Sequence, residues 1–187
     1  MAIAGLGGGA RHNGPMSFEP VAFLDMFTRS AKADAYAQLA AMTHSLLAGE
    51  RDRVANLAQF SALVWSAVPE LNWAGFYLVD ATRVRELVVG PFQGKPACVR
   101  IPFDKGVCGA CARNEEVQLV EDVHAFPGHI ACDAASRSEL VLPVLVQGRL
   151  LAVFDLDSPR PSRFDAADAE GLRLALKVLV EGTDWAS

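Results

Sequence analysis

Long apolar runs are missing from this chain: none approaches the roughly 18–20 uninterrupted residues that a membrane span requires. Basic residues are not in excess either. There are 17 Lys and Arg against 22 Asp and Glu, a net charge of −5. A nucleic-acid surface leaves a basic footprint, so the balance argues against nucleic acid as the main partner. The opening MAIAGLGGGARHNGP has no basic start followed by an apolar stretch, and is not read as a secretory signal. No internal repeat or low-complexity linker interrupts the rest. Cysteine is scarce, with four residues in 187. Because 51% of the chain is hydrophobic, it can bury a sizeable core without disulfide staples. With no export signal, a cytoplasmic location is expected. Thiols there tend to be catalytic, redox-active or metal-binding. The length suits one domain. Residues 1–17, small and Gly-rich without periodicity, are expected to form a disordered tail, and residues 18–187 the domain.

What is present is a concentration of chemistry between Gly90 and Ser138. All four cysteines (Cys98, Cys108, Cys111 and Cys132) lie there, in segments rich in Gly and Pro and poor in charge. Gly and Pro make turns that other residues cannot, so such segments present thiols.

Around this region the periodicity predicts a simple order of elements. Ala33–Leu47 and Arg51–Val68 carry apolar residues at helical spacing, the second ended by Pro69. From Asn72 the period changes to two, and Asn72–Val79 reads as an aromatic strand. Glu86–Val89 and Ala97–Phe103 read as strands flanking a Gly90–Pro96 loop, Val107–Asn114 as a short helix and Val117–Val123 as a strand. His124–Arg137 reads as a long loop. Leu140–Val146 and Leu150–Leu156 form a hairpin across Gln147-Gly148-Arg149, and a helix capped by Asp165 closes the chain. The expectation is an α+β domain, with an antiparallel sheet of about six strands, helices packed on one face and long loops on the other.

Three chemistries compete for the thiols. Cys108-x-x-Cys111 followed by His129-x-x-Cys132 has the spacing of a structural zinc site, although the first pair falls in a helical segment. Cys108-x-x-Cys111 alone has the spacing of a redox pair, although that motif normally opens the helix of a βαβ unit. Distant cysteines on mobile loops, such as Cys98 and Cys132, suit a nucleophile and a resolving partner. Asp155 and Asp157, two apart on an apolar strand, share one sheet face, and Glu139 opens the neighbouring strand. Either the aspartates are solvated at a strand end, or the three acids bind a cation or hold a proton. Trp73, Phe76 and Tyr77 are core aromatics or the wall of a ligand site.

The segments NWAGFYL (72–78), GPFQGKPAC (90–98), GVCG (106–109), FPGHIACDA (126–134), SRSE (136–139) and FDLDS (154–158) resemble free methionine-(R)-sulfoxide reductases, which are built on a GAF-type domain. The resemblance covers roughly residues 30–180. It implies reduction of the R epimer of free methionine sulfoxide through a cysteine sulfenic acid and an intramolecular disulfide, with thioredoxin as the reductant. No metal or organic cofactor is implied. Three family cysteines fall on Cys98, Cys108 and Cys132; Cys132 is the expected nucleophile and Cys98 the expected resolver, with Cys108 the fallback for either role. Glu139, Asp155 and Asp157 match the acidic site that grips the substrate, and Trp73 is assigned to the same site. The start of the helix at Val107–Ala110 is expected to receive the substrate carboxylate. Cys111 departs from the family pattern. GAF domains often pair through their helices, so a homodimer is conceivable. A GAF small-ligand or redox-sensing module without turnover is the alternative.

Overall fold

The computed structural model describes residues 26–128 and 134–185. The expected tail, 1–17, and Cys132 lie outside the described residues. Helices α1 (Met26–Arg29), α2 (Lys32–Leu46) and α3 (Arg53–Ala67) come first. Strands β1 (Trp73–Val79), β2 (Glu86–Gly94) and β3 (Arg100–Pro102), helix α4 (Gly106–Asn114) and strand β4 (Gln118–Val120) follow. Strands β5 (Ser138–Val146) and β6 (Arg149–Ser158) and helix α5 (Ala166–Gly182) complete the order. The strands form one antiparallel sheet in the order β3-β2-β1-β6-β5-β4.

Strand alternation divides the sheet into two faces. Ala74, Phe76, Leu140, Leu142, Phe154 and Leu156 point to α2, α3 and α5 and make the main core. Within it Phe60 of α3 packs edge-on against Phe154, with ring centroids 5.0 Å apart. Local signals place these helices. The Asp52 side chain accepts from the Ala55 N–H at the start of α3. At α5, Asp165 accepts from the N–H groups of Ala167 and Asp168 while Asp168 accepts from that of Asp165, a reciprocal cap.

Trp73, Tyr77, Val141 and Val153 point to the other face, where α4 packs. The helices are therefore not all on one side: the small residues of α4 let it lie close over β5 and β6. A Cβ on Gly109 would sit 2.5 Å from the Pro102 carbonyl oxygen, so this glycine lets α4 pass close to the end of β3.

Three expectations are corrected. The segment from Gly90 is no loop, since β2 runs on through Pro91 to Gly94 and pairs Trp73 with Gly94. A register shift between Gly75 and Tyr77 accommodates Pro91, which has no N–H to give the ladder. Residues 95–99 form the loop instead, so Cys98 precedes the short β3 rather than lying in a strand. The expected strand 117–123 is also shorter, because a 3-10 turn begins at Val123, with Asp122 accepting from the His124 N–H.

Candidate active site

The face under α4 carries a cavity. Trp73 and Tyr77 of β1, Glu139 of β5, Asp155 and Asp157 of β6, Gly106–Cys108 of α4 and the 95–97 loop line it. Its free volume is about 30 Å³, room for two or three water molecules.

Register explains how the acids meet. Glu139 pairs with Asp157 across β5 and β6, and Asp157 pairs with Trp73 across β6 and β1. One step along, Val141, Asp155 and Gly75 form the next row. The hairpin that sets this register turns on Gln147-Gly148, both with positive φ (51° and 76°), the geometry of a type I′ turn. Gly75 is needed beneath the aromatic wall: a Cβ there would meet the Phe92 Cβ at 2.2 Å and the Trp73 ring at 2.8 Å. Trp73 stacks nearly parallel to Phe92, with centroids 5.2 Å apart, and to Tyr77, 5.6 Å away.

Two of the three acids are shut away from solvent, and Asp157 is half-buried. Glu139 is 6% exposed and Asp155 5%. Burial, and then the neighbouring Asp155 and Asp157 carboxylates, push Glu139 well above the ordinary carboxyl range. Burial pushes Asp155 up to about 7. One Asp155 oxygen, Oδ1, is buried without a hydrogen-bond partner. The Cys108 thiol donates to Glu139 Oε1 at 3.8 Å. Burial and the facing Asp155 and Glu139 carboxylates hold it well above the usual thiol value, so it is a thiol and not a thiolate at neutral pH.

The other thiols separate. Cys111, three residues on, donates to the Val141 carbonyl at 3.7 Å and is buried, its pKa raised first by desolvation. Cys108 and Cys111 are both free thiols, with no disulfide between them. Cys98 is disulfide-bonded. The Tyr77 hydroxyl donates to the Cys98 carbonyl at 3.1 Å, which ties the 95–99 loop to the aromatic wall. His129, of the zinc spacing, lies with Cys132 outside the described residues. The structure thus brings together Trp73, Cys108, Glu139, Asp155 and Asp157. Sequence reasoning passed over Lys95 and left Tyr77 undecided. The sequence carries no signal for the first, which joins the acids only through the shared cavity lining.

Comparison with known proteins decides the family. A family model for the GAF domain matches residues 54–176. The free methionine-R-sulfoxide reductase of Escherichia coli (strain K12) is 50% identical over 142 residues, which are 76% of this chain and 84% of that enzyme. This chain is a GAF-domain protein of the free methionine-R-sulfoxide reductase family. The X-ray structure of that enzyme from Neisseria meningitidis, in complex with its substrate, superposes with a TM-score of 0.78 at 44% identity, covering 83% of this chain and 92% of the other. A putative GAF sensor protein from Burkholderia vietnamiensis superposes equally well, with a TM-score of 0.78, 54% identity and coverage of 82% and 96%. Among the described residues no helix is long and apolar enough to cross a membrane.

Proposed function

We propose that this protein is an oxidoreductase of the cytoplasm that reduces free L-methionine-(R)-sulfoxide to methionine, with thioredoxin as the final reductant. The observation that carries the reading is the convergence of Glu139, Asp155 and Asp157 on one cavity wall beside Trp73, in a chain of this family. Three neighbouring carboxyl groups are costly unless they meet a cation or hold protons. The substrate's ammonium supplies the cation. Its carboxylate faces the first turn of α4, whose N–H groups have no side-chain cap. Glu139, held protonated, is the acid that gives a proton to the sulfoxide oxygen.

Cys132 is assigned as the nucleophile. Its thiolate attacks the sulfoxide sulfur, the protonated oxygen passes to the cysteine, and methionine leaves with Cys132 as a sulfenic acid. The Cys98 thiol condenses with it, forming the disulfide and releasing water. Thioredoxin's dithiol then reduces that disulfide by exchange. The disulfide-bonded state of Cys98 supports its assignment as resolver.

The 3.8 Å contact of the Cys108 thiol with Glu139 favours a second reading, in which Cys108 is the nucleophile and passes its proton to the acids. Its raised pKa weighs against this until a substrate cation offsets the carboxylates. Methionine release per protein, without reductant, separates the two. Cys132→Ser is expected to release none, while Cys108→Ser releases about one equivalent. The opposite pattern transfers the role to Cys108.

A further inference from the structure

The cavity of the proposed reaction also holds a donor set that suits a metal ion. Cys108 Sγ, a Glu139 oxygen and an Asp155 oxygen all lie within 4.8 Å of one another, and all three residues are buried. They come from α4, β5 and β6, so the set stands on packed elements and not on loops. Asp155 Oδ1, without a hydrogen-bond partner in a residue 5% exposed, is a buried acceptor still to be satisfied.

We propose that Cys108, Glu139 and Asp155 form a three-ligand zinc site, open on its fourth side to the cavity. The chemistry selects the metal. One sulfur and two carboxylate oxygens suit a borderline-soft ion with tetrahedral preference, and three protein ligands plus an exchangeable water are the usual arrangement where zinc keeps an open position. Calcium and magnesium take all-oxygen shells completed by water, and a thiolate ligand does not suit them. The free volume of about 30 Å³ accommodates an ion and its water. On binding, metal–sulfur and metal–oxygen bonds replace the S–H bond of Cys108 and any carboxyl O–H bond. The protons pass to the buffer and no electron changes hands. Because Glu139 and Asp155 line the cavity in which the substrate is placed, zinc also competes with the amino acid. That last clause rests on the proposed function; the metal site itself does not.

The test uses Co²⁺ as the probe on the full chain in its oxidised form, where Cys98 is disulfide-bonded and Cys108 and Cys111 are free. One equivalent of Co²⁺ is expected to give a near-ultraviolet thiolate-to-cobalt charge-transfer band and intense visible bands of tetrahedral cobalt. Zn²⁺ should erase both. Cys111→Ala keeps the thiolate band and Cys108→Ser loses it. Glu139→Gln keeps the band but binds about tenfold or more weakly, which carries the test if Cys108→Ser fails to fold. A thiolate band absent at millimolar Co²⁺, or undiminished in Cys108→Ser, overturns the site. On the reduced chain, millimolar methionine is expected to displace the metal. If it does not, while the dependence on Cys108 holds, the substrate's placement fails and the metal site stands.

Discussion

Glu139 and Asp157 occupy directly paired positions on β5 and β6, on the face that α4 covers. Two like charges opposite one another destabilise a sheet, and Asp155 adds a third carboxyl to the same wall. A wall of three carboxyl groups, with Glu139 held protonated, favours a bound cation, and most of the account follows from it.

Stability should fall as pH rises. A carboxyl whose pKa is raised by folding binds its proton more tightly in the native chain than in the unfolded one. Its stabilising effect is complete below the unfolded value and lost as pH rises through the folded one. For Asp155 that window runs from 3.8 to about 7. Thermal melts from about pH 4 to about pH 8 should show a declining Tm for the ligand-free protein. Asp155→Asn should flatten the decline and melt several degrees higher at the upper end, since each kcal/mol relieved is worth roughly 2–4 °C at this size. A wild-type Tm that climbs across this window would contradict the buried, protonated acids.

Asp157→Asn is expected to act on substrate capture. Asp157 stands between Trp73 and Glu139 in the register, and losing one charge to a bound ammonium costs about 1–3 kcal/mol. KM for the free sulfoxide should rise by roughly tenfold or more, with a smaller change in kcat. Steady-state kinetics check it, and an unchanged KM removes Asp157 from the ammonium site.

The aromatic wall depends on Gly75. Gly75→Ala places a Cβ 2.2 Å from the Phe92 Cβ, so the neighbouring strand or Trp73 must shift. Overpacking of this kind costs roughly 1–3 kcal/mol. Denaturant melts should register that loss, accompanied by a raised KM as Trp73 is displaced. A variant as stable as the parent would show that the strands are free to part.

Peptide mapping after one turnover should find Cys98 joined to Cys132, closing a loop of about 35 residues. Cys108 and Cys111 should remain alkylatable only after denaturation, since both are buried. A Cys108–Cys111 crosslink would restore the redox-pair reading.

Much of this is legible in the sequence. Period-two alternation placed Asp155 and Asp157 on one face, because strand geometry leaves no other option. The helical stripes correspond to α2, α3 and α5, and the cap read at Asp165 opens α5. What escaped was set at longer range. The opposition of Glu139 and Asp157 depends on the turn at Gln147-Gly148 and a register shift between Val144 and Leu145. Pro91 reads as a strand breaker, yet the shift opposite it lets β2 continue to Gly94. Cys108 and Cys111 look like a functional pair, but at helical spacing one faces the acids and the other packs on Val141. Lys95 becomes informative only once its loop closes on the acid wall.

The most direct test is turnover of the separated epimers of free methionine sulfoxide, with thioredoxin, its reductase and a nicotinamide readout. The account predicts rapid consumption of the R epimer, little of the S epimer, and little of either when the sulfoxide is held within a peptide. Equal rates on both epimers, or no turnover of the free R epimer by fully reduced protein, would contradict it.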